Sequence, residues 1–514
     1  MNVAKFALLI SAFLNIAVQA IYFTHMLQLN SYRPERYQKW CLENDKRIVT
    51  VRRLLPALLI PAMFLPIPYG YVVGAAVLLI TAFCNLPGKS KKPLVVTARV
   101  KRLFFTQAVL TVLILTVCYF LSYLRALGIV CVLSLLPFII VGVANYCNLP
   151  IEKAIANHYV RDAKKRLRMH HNLTVIGITG SYGKTSTKTF LQALLSVKYN
   201  VLMTPESYNT TMGVVRTVRE RLRPSHQIFI AEMGAKNAGD IQEICDLVSP
   251  QYGVITSIGE QHLETFKTLD TIIATKFELA DALPENGTLF ACGDNPYITH
   301  RLSQKSPLCP TVLYGLENGE VLVSDIKVSL SGCSFTITIN GEQQVFTTKL
   351  LGAHNIQNLA GCIAVAHRLG IPLKEMASAV RRLSPVEHRL QLLPNGYIDD
   401  AYNANPAGFR SALDVLRLFD AQRVLVTPGM VELGERQDIL NRELGAYAAD
   451  CCDLAVLVGL KQAPPLKEGL LSAGFSEDNI LVVSSLTEGL NRLAQIPVKG
   501  SRIVLLENDL PDNF

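Results

Sequence analysis

Two hydrophobic regimes succeed one another along the chain. Up to about residue 150 the apolar residues run in long blocks, Phe6 to Phe23, Leu54 to Cys84, Leu103 to Tyr123 and Leu127 to Val143. A helix needs roughly 20 such residues to cross a bilayer, so the first, third and fourth blocks each predict one span. The second block is longer and carries Pro56, Pro61, Pro66, Pro68 and Gly70, which predicts a tight hairpin of two short spans broken near Pro66–Tyr69. From about residue 171 the pattern changes to short apolar runs alternating with helical ones. Strands are predicted at Val175–Ile178, Ile228–Ala231, Gly253–Ser257 and Thr288–Ala291, each leading into a polar residue or loop. Residues 312–350 alternate with the short period of antiparallel hairpins, with Asn340-Gly341 as a turn. After Pro385 a second series follows, near Gly396–Ile398, Val424–Val426, Leu454–Val458, Ile480–Val483 and Ile503–Leu506.

Charge refines the picture of the first region. The 514 residues carry a formal net charge of +9. Basic residues cluster between the apolar blocks, at 32–53, 89–102 and 153–168. The positive-inside rule puts all three clusters on the cytoplasmic face, which five spans with an outside N-terminus satisfy and four do not. The expected location is therefore the cell membrane, multi-pass, with the rest of the chain cytoplasmic. Beside membrane spans these basic stretches do not argue for nucleic acid. The basic cluster of the first block follows it and no small-residue cleavage site is evident, so it is not read as a cleavable signal. The 12 cysteines are scattered apart from Cys451-Cys452 and include no C-x-x-C, which fits reduced thiols and argues against zinc.

The densest chemistry is the stretch Thr179, Gly180, Ser181, Tyr182, Gly183, Lys184, Thr185, Ser186 between a predicted strand and a predicted helix. Strand, glycine-containing turn and helix start form a phosphate cradle of backbone N–H groups, to which Lys184 adds a mobile charge and Thr185 a hydroxyl for Mg²⁺. The loop is shorter than the common P-loop, with Ile178 where its first glycine falls. ATP is the expected ligand. In an open α/β sheet the site lies at the carboxyl ends of the strands, which is where Lys184, Glu232, His262 and Asp294 fall. The fold class expected is α/β in parts: a helical membrane region (1–150), a basic linker (151–170), a central P-loop parallel-sheet ATPase domain (171–384) and a C-terminal Rossmann-like α/β domain (385–514).

Several motifs then line up in order. They are I-T-G-S-Y-G-K-T-S, A-E-M-G-A at 231–235, H-L-E at 262–264, T-K-F-E at 275–278, L-G-A-H-N-I-Q-N at 351–358, E-H-R-L at 387–390, I-D-D-A-Y-N-A-N-P at 398–406 and G-M-V-E-L-G-E at 429–435. In these the chain resembles the Mur ligases, most closely the MurF type that adds D-alanyl-D-alanine in peptidoglycan synthesis, over roughly residues 171 to 514. The resemblance implies an enzyme of cell-wall biogenesis, and so of cell shape and division. Its chemistry is ATP-driven amide formation through an acyl phosphate, with two Mg²⁺. It implies that Lys184 holds the transferring phosphate, that Thr185 and Glu232 ligate the first Mg²⁺ and that His262 ligates the second. Lys276 matches the lysine that is carbamylated in this family. His354, Asn355 and Asn358 line the base and ribose, with Asp294 and Asn295 nearby. Arg389 reaches the γ-phosphate and Asp400 the ribose. Tyr402, Asn403 and Asn405 form the amine pocket, and Asn209 and Thr210 the acyl-substrate loop, although Val215 replaces that loop's usual proline.

The residues by themselves also admit quieter roles: helix capping for His354, Asn355 and Asn358, a turn for Asp399-Asp400, a surface position for Lys276. The resemblance also has a gap, because membrane blocks stand where a standard MurF carries its uridine-nucleotide-gripping domain. The acyl substrate is thus open between soluble UDP-N-acetylmuramoyl-tripeptide and a lipid-linked or polymeric carboxylate, as in a poly-γ-glutamate synthase. Two other classes are a non-catalytic membrane scaffold, against which the intact Lys184, Glu232, His262, Lys276 and Arg389 argue, and a transporter ATPase, which leaves the third domain without a role.

Overall fold

The computed structural model describes residues 2–88, 93–206, 208–260, 263–329, 332–402, 405–431, 433–459, 463–498 and 500–508. The chain forms two compact units, Met1–His158 and Tyr159–Phe514.

The first unit is helical. Its main helices are Asn2–Leu29, Tyr69–Cys84, Ala98–Phe120, Tyr123–Leu135 and the first part of Pro137–Arg168. Among the described residues, Asn2–Leu29 and Ala98–Phe120 are each long and apolar enough to cross a membrane. Tyr123–Leu135 and Pro137–Arg168 meet at 79° and make a third only if taken together as one broken span. Five spans are therefore not each matched by a helix of spanning length. The reason lies in the prolines of the 54–84 block. Its first half forms only short turns of helix, Leu55–Leu58 and Leu59–Ala62, and its second half a helix of 16 residues, less than the roughly 20 a bilayer requires.

The stretch 151–170, read from sequence as a linker, is up to Arg168 the second half of the helix Pro137–Arg168. Its last turns belong to the second unit, where Ala163 is buried in the core and Asp162 accepts from Arg219 Nε at 2.7 Å.

The second unit is built on two sheets. The larger contains β1 (Thr174–Thr179), β2 (Val201–Met203), β3 (Ile228–Glu232), β4 (Tyr252–Ile255), β5 (Thr288–Cys292), β6 (Thr311–Gly315), β7 (Val321–Ser329), β8 (Gly332–Ile339) and β9 (Glu342–Thr348), in the order β2-β3-β1-β4-β5-β6-β7-β8-β9. From β2 to β7 the pairing is parallel; β7, β8 and β9 are antiparallel. The apolar runs explain this. β3 and β5 are buried at every position, as strands covered on both faces by helices must be. β8 alternates, with Cys333, Phe335, Ile337 and Ile339 turned into the core.

The second sheet contains β10 (Gln391–Leu392), β11 (Tyr397–Asp400), β12 (Gln422–Thr427), β13 (Leu454–Val458), β14 (Ile480–Val483) and β15 (Arg502–Glu507), in the order β10-β11-β15-β12-β13-β14. All pairs but β10–β11 are parallel. The strands expected from sequence all form. β2, β6 and β10 are additional.

Candidate functional site

The glycine-containing turn connects β1 to the helix Lys184–Leu195. Gly183 caps that helix at φ +79, a conformation that costs a residue with a Cβ. A Cβ there would also lie 2.8 Å from Asn358 Oδ1. The loop is pinned from β4, where the Ser257 carbonyl accepts from the Ser181 N–H at 2.6 Å. Thr179 is buried, and its hydroxyl donates to the Met233 carbonyl at 3.0 Å. A helix start held open in this way presents unpaired N–H groups to an anion. Lys184 curls over the turn and donates to the carbonyls of Gly180 at 2.7 Å and Ser181 at 2.9 Å. Burial brings its ammonium down to about 8, with Glu232 opposing the shift and Arg389 adding to it.

Glu232 ends β3 directly beside this turn and is 1% exposed. Both its oxygens lie 3.2 Å from the Thr185 hydroxyl, which donates to them. Asn209 Nδ2 donates to Oε1 at 3.3 Å, so the loop before the helix Thr211–Arg221 reaches the same carboxylate. Thr210 caps that helix, accepting from Gly213 N at 3.3 Å. A carboxylate and a hydroxyl beside a phosphate cradle suit a hard cation such as Mg²⁺, which completes its shell with phosphate oxygens and water. Among the described residues no cluster of three or more His, Cys, Asp or Glu exists that could hold a metal alone. Lys276, on the helix Leu269–Asp281, is 3% exposed. Burial, and then the charge of Lys184, bring it down to about 7.

A cavity of about 510 Å³ opens next to the turn. Tyr182, Gly183 and Ser186 line it from the turn and the helix it opens, Asn295 from the loop after β5, His354 and Asn358 from the helix Ala353–Arg368, and Arg389, Asp400 and Asn405 from the C-terminal side. His354 Nδ1 and Ser411 Oγ are 2.8 Å apart; burial, and then the charge of Arg389, hold the imidazole down to about 4, so it is neutral at pH 7. The Arg389 guanidinium lies 4.4 Å from the centre of the Tyr402 ring. Asn405 caps the helix Pro406–Arg417, accepting from Gly408 N at 2.9 Å.

Some assigned residues sit differently from a ligand-lining role. Asn355 is buried and donates to the Leu351 carbonyl at 2.8 Å, and does not line the cavity. Asp294 lines the cavity, but its oxygens accept from the N–H groups of Leu316, Glu317 and Asn318 at 2.6, 3.0 and 2.8 Å, so it anchors the turn after β6. Asn295 caps the helix Pro296–Gln304 and donates to the Ile258 carbonyl at 2.9 Å. His262 and Asn403 lie outside the described residues.

The fold also brings in residues that sequence reasoning missed. Glu507 is the register partner of Asp400 on the neighbouring parallel strand, and both line the cavity. Burial lifts Asp400 to about 6 against the pull of the Leu390 N–H and Arg389. Burial and the Asp400 charge push Glu507 well above the usual carboxylate range. Beside Asp400, Glu507 is the carboxyl whose protonated form is favoured. Arg436, after β12, forms an ion pair with Glu260, after β4, at the cavity rim. Lys188, one turn after Lys184, is also buried at this place.

Comparison with known proteins agrees with this geometry. Residues 178–366 match the Mur ligase middle domain and residues 388–506 the Mur ligase, glutamate ligase domain. The UDP-N-acetylmuramoyl-tripeptide--D-alanyl-D-alanine ligase of Bacillus subtilis (strain 168) is 30% identical over 338 residues, which is 64% of this chain and 72% of that protein. The enzyme of the same name from Escherichia coli (strain K12) is 30% identical over 344 residues, 65% and 75% of the two chains. Among solved structures, MurF from Acinetobacter baumannii superposes with a TM-score of 0.62 at 26% identity, covering 68% of this chain and 77% of that one. MurF ligase from Thermotoga maritima, in complex with ADP, has a TM-score of 0.62 at 25% identity, covering 69% and 80%. The chain thus belongs to the Mur ligase family, among relatives of the MurF type.

Proposed function

We propose that this chain is an ATP-dependent peptide ligase of peptidoglycan synthesis that joins D-alanyl-D-alanine to a muramoyl-tripeptide carboxylate. The observation that carries the reading is the meeting, at one sheet edge, of the Gly183–Lys184 helix start, the Thr185–Glu232 pair at 3.2 Å and buried Lys276. The γ-phosphoryl group of ATP passes to the carboxylate oxygen of the tripeptide, forming an acyl phosphate and releasing ADP. The amine of D-alanyl-D-alanine then attacks the acyl carbon. The C–N bond forms, the C–O bond to phosphate breaks and the amine gives up a proton. Such transfers are accelerated by neutralising phosphoryl charge and aligning the reactants.

In this scheme the N–H groups at the start of the helix Lys184–Leu195 and the Lys184 ammonium hold the phosphates. Thr185 and Glu232 would hold Mg²⁺, with His262 on a second ion; the metal supplies charge neutralisation. Asn209 and Thr210 face the acyl substrate, and Tyr402, Asn403 and Asn405 the amine. Arg389 faces the phosphates from the C-terminal side, while His354, Asn358, Asn295 and Asp400 surround the nucleoside. A neutral Lys276 amine can add CO₂, and we assign it as the carbamylated lysine. We place the catalytic domains, 171–384 and 385–514, on the cytoplasmic face of the cell membrane.

A second reading concerns the acyl substrate. The helices Asn2–Leu29 and Ala98–Phe120 are of spanning length, and the matched domains begin only at residue 178. Both favour a lipid-linked muropeptide presented at the bilayer. The test is phosphate release by the detergent-purified protein with ATP, Mg²⁺ and D-alanyl-D-alanine, comparing UDP-N-acetylmuramoyl-tripeptide with the lipid-linked form. Turnover with either that Lys184→Ala abolishes supports the ligase. The substrate that turns over selects between the two readings, and turnover with neither refutes the muramoyl assignment.

A further inference from the structure

Lys188 is 1% exposed, and its ammonium does two things at once. Its Nζ stands 2.8 Å from Glu232 Oε2, a carboxylate equally buried. The same nitrogen donates to the Glu206 carbonyl at 2.6 Å. Glu206 has φ +41, in the left-handed region that a residue with a long side chain rarely adopts. Three residues on, Asn209 contacts the other oxygen of Glu232 at 3.3 Å, and the Asn209 carbonyl accepts from Gly234 N at 2.7 Å. On the far side of the loop the Thr204 hydroxyl accepts from Glu232 N at 3.1 Å. Thr204, Glu206 and Asn209 thus gather around Glu232, with Lys188 bridging the carboxylate and the Glu206 carbonyl.

Packing does not account for this arrangement. A buried ion pair contributes little over an apolar pair of the same volume, because desolvation offsets the attraction. The pair instead sits where the proposed reaction needs a metal ligand on one side and an acyl-substrate loop on the other.

We propose that Lys188 is a positioning residue that couples the Glu232 carboxylate to the acyl-substrate loop, restraining the charge available to the metal while fixing the loop. This rests on the reading of Glu232 as a Mg²⁺ ligand and of residues 209–210 as facing the acyl substrate. It makes two effects of opposite sign. Replacing Lys188 by methionine removes the ammonium ion-paired with Glu232 Oε2, so more of the carboxylate's charge faces the metal and divalent ions bind more tightly. The same replacement strips the Glu206 carbonyl of its donor, so the loop loosens and the acyl substrate binds more weakly. A core residue removed for its packing alone would weaken both.

The test uses the full-length protein in detergent, wild type and Lys188→Met. Mn²⁺ binding is read by electron paramagnetic resonance in the presence of ADP, and KM for the acyl substrate by phosphate release. The expected results are Mn²⁺ affinity higher by at least about tenfold and KM for the acyl substrate higher by about tenfold or more. Mn²⁺ affinity unchanged or lowered in the variant overturns the proposal, as does an unchanged KM. Should Lys188→Met not fold, Lys188→Gln removes the charge but keeps an N–H donor; it should show the metal effect with a smaller change in KM, and an unchanged metal affinity again overturns the proposal. Wild-type protein that binds Mn²⁺-ADP but forms no product with either acyl substrate refutes the ligase reading, while the metal measurement still decides the role of Lys188.

Discussion

Lys276 offers the most quantitative check on the site. Its side chain lies in the core of the second unit, and burial with the Lys184 charge moves its ammonium from the ordinary 10.5 to about 7. An ordinary lysine at pH 7 is neutral in only about 3 molecules in 10,000, whereas Lys276 is neutral in about half, a gain of roughly a thousandfold in the form that reacts with CO₂. The same shift is a statement about stability. Between about pH 7 and 10.5 the unfolded chain binds a proton that the folded chain has lost, so the lysine's destabilising contribution shrinks as pH rises through that window. It is largest below pH 7, where the folded protein holds the buried charge. Lys276→Met should therefore be more stable than wild type in CO₂-free buffer. Its advantage should fall by ~1.4 kcal/mol per pH unit from about 7.5 upwards. Denaturant unfolding of both proteins at pH 7.5, 8.2 and 9 measures the slope. In the functional arm, ¹³C-bicarbonate at pH 7.5 should give a carbamate carbon resonance in wild type that Lys276→Met lacks. A flat stability difference across pH refutes the buried-lysine argument, and equal spectra refute the carbamate.

Three further outcomes follow from the geometry. Gly183→Ala places a Cβ 2.8 Å from Asn358 Oδ1 at φ +79, so it should cost about 1–2 kcal/mol of stability. ADP affinity, measured by calorimetry, should fall by more than about tenfold because the helix start is displaced. Glu507→Gln mimics the protonated acid; because the folded wild type retains a proton that the unfolded chain sheds above about pH 4.5, the variant should gain stability over wild type as pH rises from 5 to 8, and parallel pH profiles in thermal unfolding would show that Glu507 is ionised. Arg436→Ala breaks a half-exposed pair with Glu260, so its effect on thermal stability should stay below about 1 kcal/mol, while the KM for ATP should rise because the pair joins the two sides of the cavity rim.

How far the sequence reached depends on the range of the interaction involved. The strand runs of β1, β3, β4 and β5 and the turn at Gly180–Gly183 were legible because local apolar runs and glycine placement specify them. Glu232 was legible because it ends a strand. Lys188 was not, since a lysine one turn into a helix reads as a solvated position until Glu232 of β3 and the Glu206 carbonyl are folded against it. Glu507 was hidden for a related reason: its relation to Asp400 comes from pairing across more than a hundred residues. Asp294 was placed correctly at the strand end, yet three N–H groups of the turn after β6 occupy its oxygens. In the first unit the prolines of the 54–84 block signalled a break, but hydropathy alone could not show that the halves on either side fall short of a bilayer's thickness.

The order of strands in the smaller sheet bears on how the enzyme is made. β15, last of the fifteen strands in sequence, is inserted between β11 and β12. While the ribosome still holds residues 502–507, β11 lacks its neighbour and Asp400 lacks Glu507 beside it. The apolar helices and the phosphate-cradling sheet have emerged long before. Synthesis therefore delivers the apolar helices first, the Gly180–Gly183 turn second and the completed cavity last, so the ligase fold closes only after the rest of the chain has emerged.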